Sequence, residues 1–109
     1  MKRKITLKET AVREIEQEVE FPIYRAHHLT SDGDGENVLY MRVDENCCLV
    51  SISVYRGQSG VTSYTLSIEP NYHFDRSPLD YLLGRGQYAS SREEFDKALA
   101  DLRAALHAI

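Results

Sequence analysis

The sequence predicts an α+β fold, in which a four-stranded antiparallel meander sheet carries an N-terminal helix and C-terminal helices packed on one face. Two observations predict the sheet. Four segments of strand-like composition follow one another in the middle of the chain, and the links between them are short enough for hairpins. A third observation predicts the helices, because apolar residues recur at helical spacing near both ends of the chain.

The first predicted element is a helix over about residues 7–20. Thr6 and Glu9 have the spacing of a capping box, and Pro22 ends the helix because the residue before a proline is disfavoured in the α region. Glu16, Glu18 and Glu20, in its last turns, are interpreted as a solvated face. The apolar residues that define its buried face are Ala11, Val12, Ile15 and Val19.

The middle of the chain predicts the sheet itself. The four predicted strands are residues 23–29, 38–43, 48–56 and 62–69. The links between them are rich in Asp, Gly, Asn and Ser, the residue types that favour turns. Because consecutive strands with short links pair as antiparallel hairpins, the predicted topology is a meander.

The last third of the chain predicts helices. Ser77 and Pro78 form a helix start, and Gly84 is placed to end that short helix. A final helix begins near Ser90 and Ser91. Its apolar seam consists of Phe95, Leu99, Leu102, Leu106 and Ile109. We expect this seam to pack on the apolar sheet face, which comprises Val50, Ile52, Val54, Leu66 and Ile68.

The opposite sheet face is rich in small hydroxyl side chains framed by Tyr and Arg. Water alone could cover such a face in an antiparallel sheet. However, short hydroxyl side chains let another surface approach closely, and Tyr and Arg are enriched at interface hot spots. We therefore predict a partner-binding surface, most simply for a second copy of the chain. Its residues are Tyr40, Arg42, Ser51, Ser53, Tyr55, Thr65 and Ser67.

Length and composition limit the class of protein. The 109 residues suit a single domain over 1–109, and the formal net charge of −4 makes nucleic acid an unfavourable partner. No apolar run approaches the roughly 20 residues that span a membrane, and the basic start lacks the apolar stretch of a signal peptide. The adjacent Cys47 and Cys48 form no disulfide framework. The sequence therefore predicts a cytoplasmic protein without a membrane partner.

The sequence contains no recognisable catalytic set, phosphate loop or metal motif, so it predicts no catalytic, cofactor-binding or metal-binding residue. The hypothesis that follows is a small soluble interaction or regulatory module, without enzymatic activity, that binds itself or another protein. Two alternatives stay open. The chain could bind single-stranded nucleic acid by stacking bases on Tyr40 and Tyr55. It could also be a small enzyme or metal protein that uses His73 and Asp75.

Overall fold

The computed structural model describes residues 1–10, 13–30, 35–57, 59–73 and 78–109. In these residues the strands are β1 (Lys2–Thr10), β2 (Arg13–Glu20), β3 (Ile23–Thr30), β4 (Gly35–Val43), β5 (Leu49–Gly57) and β6 (Thr62–Glu69). They are followed by the short helix α1 (Leu79–Leu82), a 3-10 turn (Gly86–Tyr88) and the long helix α2 (Arg92–His107).

The predicted meander is confirmed. The strand order is β3-β4-β5-β6, and each neighbouring pair is antiparallel. The sequence between consecutive strands is short, which favours the pairing of neighbours along the chain. The combination of this antiparallel sheet with C-terminal helices makes the fold α+β.

The predicted N-terminal helix is wrong, because β1 and β2 pair as a separate antiparallel sheet. Both residues of the predicted capping box, Thr6 and Glu9, lie within β1. The lysines of β1 and the glutamates of β2 recur at even spacing, and the register pairs basic residues with acidic ones across the hairpin. These pairs include Lys2 with Glu20 and Lys4 with Glu18. Opposite charges that face each other across strands favour this pairing over a helix.

The helix α2 packs on the predicted sheet face. Its buried residues Phe95, Ala98 and Leu102 form a core cluster with Ile52 and Val54 of β5. We call this side of the sheet the helix face. The helix contacts β4 and β5 most extensively, as expected for a helix about 10–12 Å in diameter on strands spaced about 4.8 Å apart. Tyr24 of β3 and Tyr64 of β6 also pack against this cluster.

A second core cluster lies on part of the opposite side of the sheet, so the prediction that all helices share one face is wrong. There Met41 and Val43 of β4 pack with Ile5 of β1, Val19 of β2 and Leu82 of α1. The physical reason is that β4 is apolar on both sides, as is typical of a central strand that is buried on both faces. One helix layer cannot cover both sides.

The turn after α1 follows the sequence prediction. Gly84 has a φ of +64°, and a Cβ atom there would collide with the backbone carbonyl oxygen of Tyr24. Only glycine fits this position without strain. The start of α2 near Ser90 and Ser91 also follows the prediction, because the side chain of Ser91 caps the helix by accepting a hydrogen bond from the backbone N–H of Glu94.

Candidate interaction site at the β6 edge

Five of the seven predicted partner-binding residues share one side of the sheet. The register pairs Ser51 with Ser67 and Ser53 with Thr65, and Tyr55 follows two residues after Ser53 on the same side of β5. All five are half-buried or exposed. We call these five residues the hydroxyl face. That this face contacts a partner stays a prediction.

The other two predicted residues, Tyr40 and Arg42, lie on the helix face instead. Tyr40 pairs with Ile52 and packs against the α2 core cluster. The guanidinium carbon of Arg42 lies 4.9 Å from the ring centroid of Phe95, and its Nε atom lies 3.2 Å from a carboxylate oxygen of Asp44. Internal contacts therefore engage both side chains. Alternation within β4 separates its two sides, but only the register shows which side matches Ser51.

This placement also bears on the nucleic-acid alternative. Tyr55 belongs to the hydroxyl face, whereas Tyr40 lies half-buried on the helix face. Two tyrosines on opposite sides of a sheet cannot stack successive bases of one strand. The arrangement on which that alternative depends is therefore not present.

The strand β6 forms one edge of the sheet and is the most exposed part of it. Seven of its eight residues are exposed, and Tyr64 is half-buried. It pairs with β5 along one side, and no segment in the described part of the chain pairs with its other side. The outer edge of β6, hereafter the β6 edge, therefore presents free backbone N–H and C=O groups.

The β6 edge lacks the features that usually keep edge strands from pairing. Its residues include no lysine, arginine or proline, and its register with β5 is regular over all eight residues. The opposite edge of the sheet differs, because Ala89 forms a β-bridge to Arg25 of β3. One edge of the sheet is thus partly covered and the other is open.

Exposed apolar side chains lie beside the β6 edge on the helix face. Leu66 is 47% exposed and Ile68 is 62% exposed, although both were predicted to be core residues. They lie on β6, beside β4 and β5, the two strands that α2 contacts most extensively. On α2, Leu106 lies one turn beyond the buried Leu102 and is 60% exposed. The helix face therefore leaves apolar side chains uncovered on both the sheet and the helix.

Among the described residues, a cleft of about 320 Å³ that is open to solvent lies between β2, β3 and the segment after α1. One cleft of about 110 Å³ lies between α2 and the strands β4 and β5, with Glu36, Arg56, Lys97 and Asp101 among its lining residues. Ligand pockets usually measure roughly 300 Å³ or more. Lys97 and Asp101 already form an ion pair with each other, at 3.1 Å.

The metal alternative rests partly on Asp75, which lies outside the described residues. Within the described ranges, no three His, Cys, Asp or Glu side chains come together in a group that could hold a metal ion. Cys47 and Cys48 are free thiols, both half-buried. No described helix has the length and apolar character needed to span a membrane.

Comparisons with protein families, with curated proteins and with solved structures found no match to this chain. Function is therefore inferred from the residues of the chain and their geometry.

Proposed function

We propose that this chain is a non-enzymatic protein-interaction module whose β6 edge accepts an additional strand from a protein partner. The observation that carries the proposal is the exposure of seven of the eight residues of β6, together with its unpaired outer side in the described structure. Strand addition is an established mode of recognition, in which backbone hydrogen bonds supply affinity and alternate side chains supply specificity.

The side chains on both faces of β6 are compatible with an added strand at its outer edge. On the helix face, Leu66 and Ile68 would lose their exposure to water, and full burial of such a side chain contributes about 1.5–3 kcal/mol. On the hydroxyl face, Thr65 and Ser67 carry little bulk, so a neighbouring strand can approach closely. The predicted partner surface is thereby extended from the hydroxyl face to the edge beside it.

Charge favours a protein partner over nucleic acid. The formal net charge of the chain is −4, and the one charged residue of β6 is Glu69. Nucleic-acid binding draws most of its affinity from Lys and Arg that neutralise phosphates. A strand that carries no cation is poorly suited to that role.

Photo-crosslinking in cells that express the chain tests this proposal. A photoreactive phenylalanine analogue in place of Ser67 is expected to give a covalent adduct with a protein, because Ser67 is exposed beside the β6 edge. The additional substitution Leu66→Lys is expected to abolish the adduct, since a charge would then lie in the apolar contact. Mass spectrometry of the adduct identifies the partner.

The matched control places the same analogue at Gln87, which is exposed and lies in the 3-10 turn packed beside β3. We expect no equivalent adduct there. If Ser67 and Gln87 gave the same adducts, or if Leu66→Lys left the Ser67 adduct unchanged, the β6 edge would not be the interaction site.

A further inference from the structure

We infer that the strand accepted by the β6 edge is the β6 of a second copy of this chain, paired antiparallel about a twofold axis at Leu66. The inference rests on the proposed function and names its partner. Two four-stranded sheets would then join into one continuous sheet. A twofold contact is the simplest arrangement for such a surface, because the same strand serves both sides.

The side chains of β6 are complementary to themselves in this register. On the helix face, Leu66 lies opposite the copy's Leu66, and Tyr64 lies opposite the copy's Ile68. On the hydroxyl face, Thr65 lies opposite the copy's Ser67. A register centred on Thr65 would instead put Ile68 opposite Thr62. The register centred on Leu66 therefore matches apolar with apolar side chains better than the register centred on Thr65.

The charge of β6 favours the antiparallel arrangement. Glu69, at the end of the strand, would lie opposite the uncharged Ser63 of the copy. The two copies of Glu69 would be about 20 Å apart, beyond the Debye length of about 8 Å at physiological ionic strength. A parallel pairing in register would place the two carboxylates side by side.

The rest of the fold agrees with a closed dimer. A twofold axis perpendicular to the sheet keeps both α2 helices on the helix face, so Leu66 and Ile68 of both copies form one apolar strip. The exposed Leu106 of α2 is an apolar side chain available to help cover it. At the far edge, the bridge between Ala89 and Arg25 hinders further strand addition. Growth would stop at two copies.

Disulfide trapping tests the register. In a Cys47→Ala, Cys48→Ala background, Leu66→Cys is expected to form an intermolecular disulfide under mild oxidation. Directly opposed residues in antiparallel strands have Cα atoms about 4.5–5.5 Å apart, within the range of a disulfide. The control is Ile68→Cys, whose two copies would be about 14 Å apart and should stay reduced.

Sedimentation of the wild type and of Leu66→Lys, without oxidant, gives the second readout. The wild type is expected to sediment with twice its mass of 12.5 kDa, and Leu66→Lys with the monomer mass and an unchanged circular dichroism spectrum. A matched control on the other edge, Leu29→Lys, replaces a 39% exposed leucine and should remain dimeric.

The outcomes separate this inference from the proposed function. A monomeric wild type at high micromolar concentration, a dimer that survives Leu66→Lys, or equal crosslinking of Cys at positions 66 and 68 would overturn the second copy as partner. If Ser67 still gave an adduct with a different protein that Leu66→Lys abolished, the proposed function would stand. If the analogue at Ser67 gave no adduct at all, the proposed function and the second copy as partner would both be contradicted.

Discussion

Replacing Leu102 with aspartate is expected to lower the free energy of unfolding by more than about 3 kcal/mol. Leu102 is 6% exposed and packs in the core cluster that joins α2 to Ile52 and Val54. The substitution removes the apolar contact and leaves a carboxylate beneath the helix without a partner. Urea unfolding, followed by far-ultraviolet circular dichroism, measures the change.

The same substitution one turn later is the control. Leu106 is 60% exposed, so we expect Leu106→Asp to change the free energy of unfolding by less than about 1 kcal/mol. If the two variants were equally stable, α2 would not pack on the sheet through the face described above.

The second large effect is expected at Arg25, a buried side chain that links β3 to three other parts of the chain. Its Nη1 atom donates to the carbonyl oxygen of Leu82 at 3.1 Å, and its Nη2 atom donates to the hydroxyl of Tyr72 at 2.9 Å. Its Nε atom lies 3.3 Å from the sulfur of Met41. The guanidinium carbon lies 4.3 Å from the ring centroid of Tyr81, a favourable distance for a cation–π contact.

Arg25→Ala is therefore expected to lower the free energy of unfolding by about 3 kcal/mol or more. Arg25 is 1% exposed, so the truncation leaves a cavity and removes a hydrogen-bond donor from a buried carbonyl. We expect Arg25→Lys to recover only part of the loss, because lysine lacks the planar fork that reaches several acceptors and stacks on rings. Urea unfolding of the three proteins gives the comparison.

Arg85→Ala is the matched control, because Arg85 is exposed in the loop after α1. Its effect should stay within about 0.5 kcal/mol. Equal stability of Arg25→Ala and Arg85→Ala would mean that the buried guanidinium does not connect β3 to α1.

The sheet could be predicted because its signals are local. The strand predicted over residues 62–69 has the same bounds in the structure, as Thr62–Glu69, because apolar and hydroxyl residues alternate between clear turn signals. The end of α1 at Gly84 could be predicted for a similar reason, since glycine adopts a positive φ without steric strain.

The N-terminal hairpin could not be predicted from apolar spacing. Ile15 and Val19 are four residues apart, which fits a helix, yet Glu16, Glu18 and Glu20 alternate as they would in a strand. The two patterns overlap, and pairing with β1 decides between them, because strand formation depends strongly on tertiary context. The alternation of lysines along β1 was the signal that could have identified the hairpin.

The candidate site was predictable only in part, because its location depends on how far α2 extends across the sheet. Leu66 and Ile68 alternate like core residues, and nothing in their own sequence shows that a single helix leaves both side chains exposed. Tyr40 and Arg42 were assigned to the hydroxyl face because alternation does not fix the register between β4 and β5. Ser51, Ser53 and Tyr55 were grouped correctly with Thr65 and Ser67.

Amide hydrogen exchange along β6 tests most directly whether its outer edge is paired. In an unpaired edge strand, alternate N–H groups point away from β5 and exchange rapidly, whereas an added strand protects them. At high micromolar concentration we predict slow exchange across Thr62–Glu69 in the wild type. In Leu66→Lys we predict fast exchange of about half of these amides, whereas the exchange rates of the amides in β4 and β5 should be the same as in the wild type. Equal exchange of β6 in the two proteins would contradict the account.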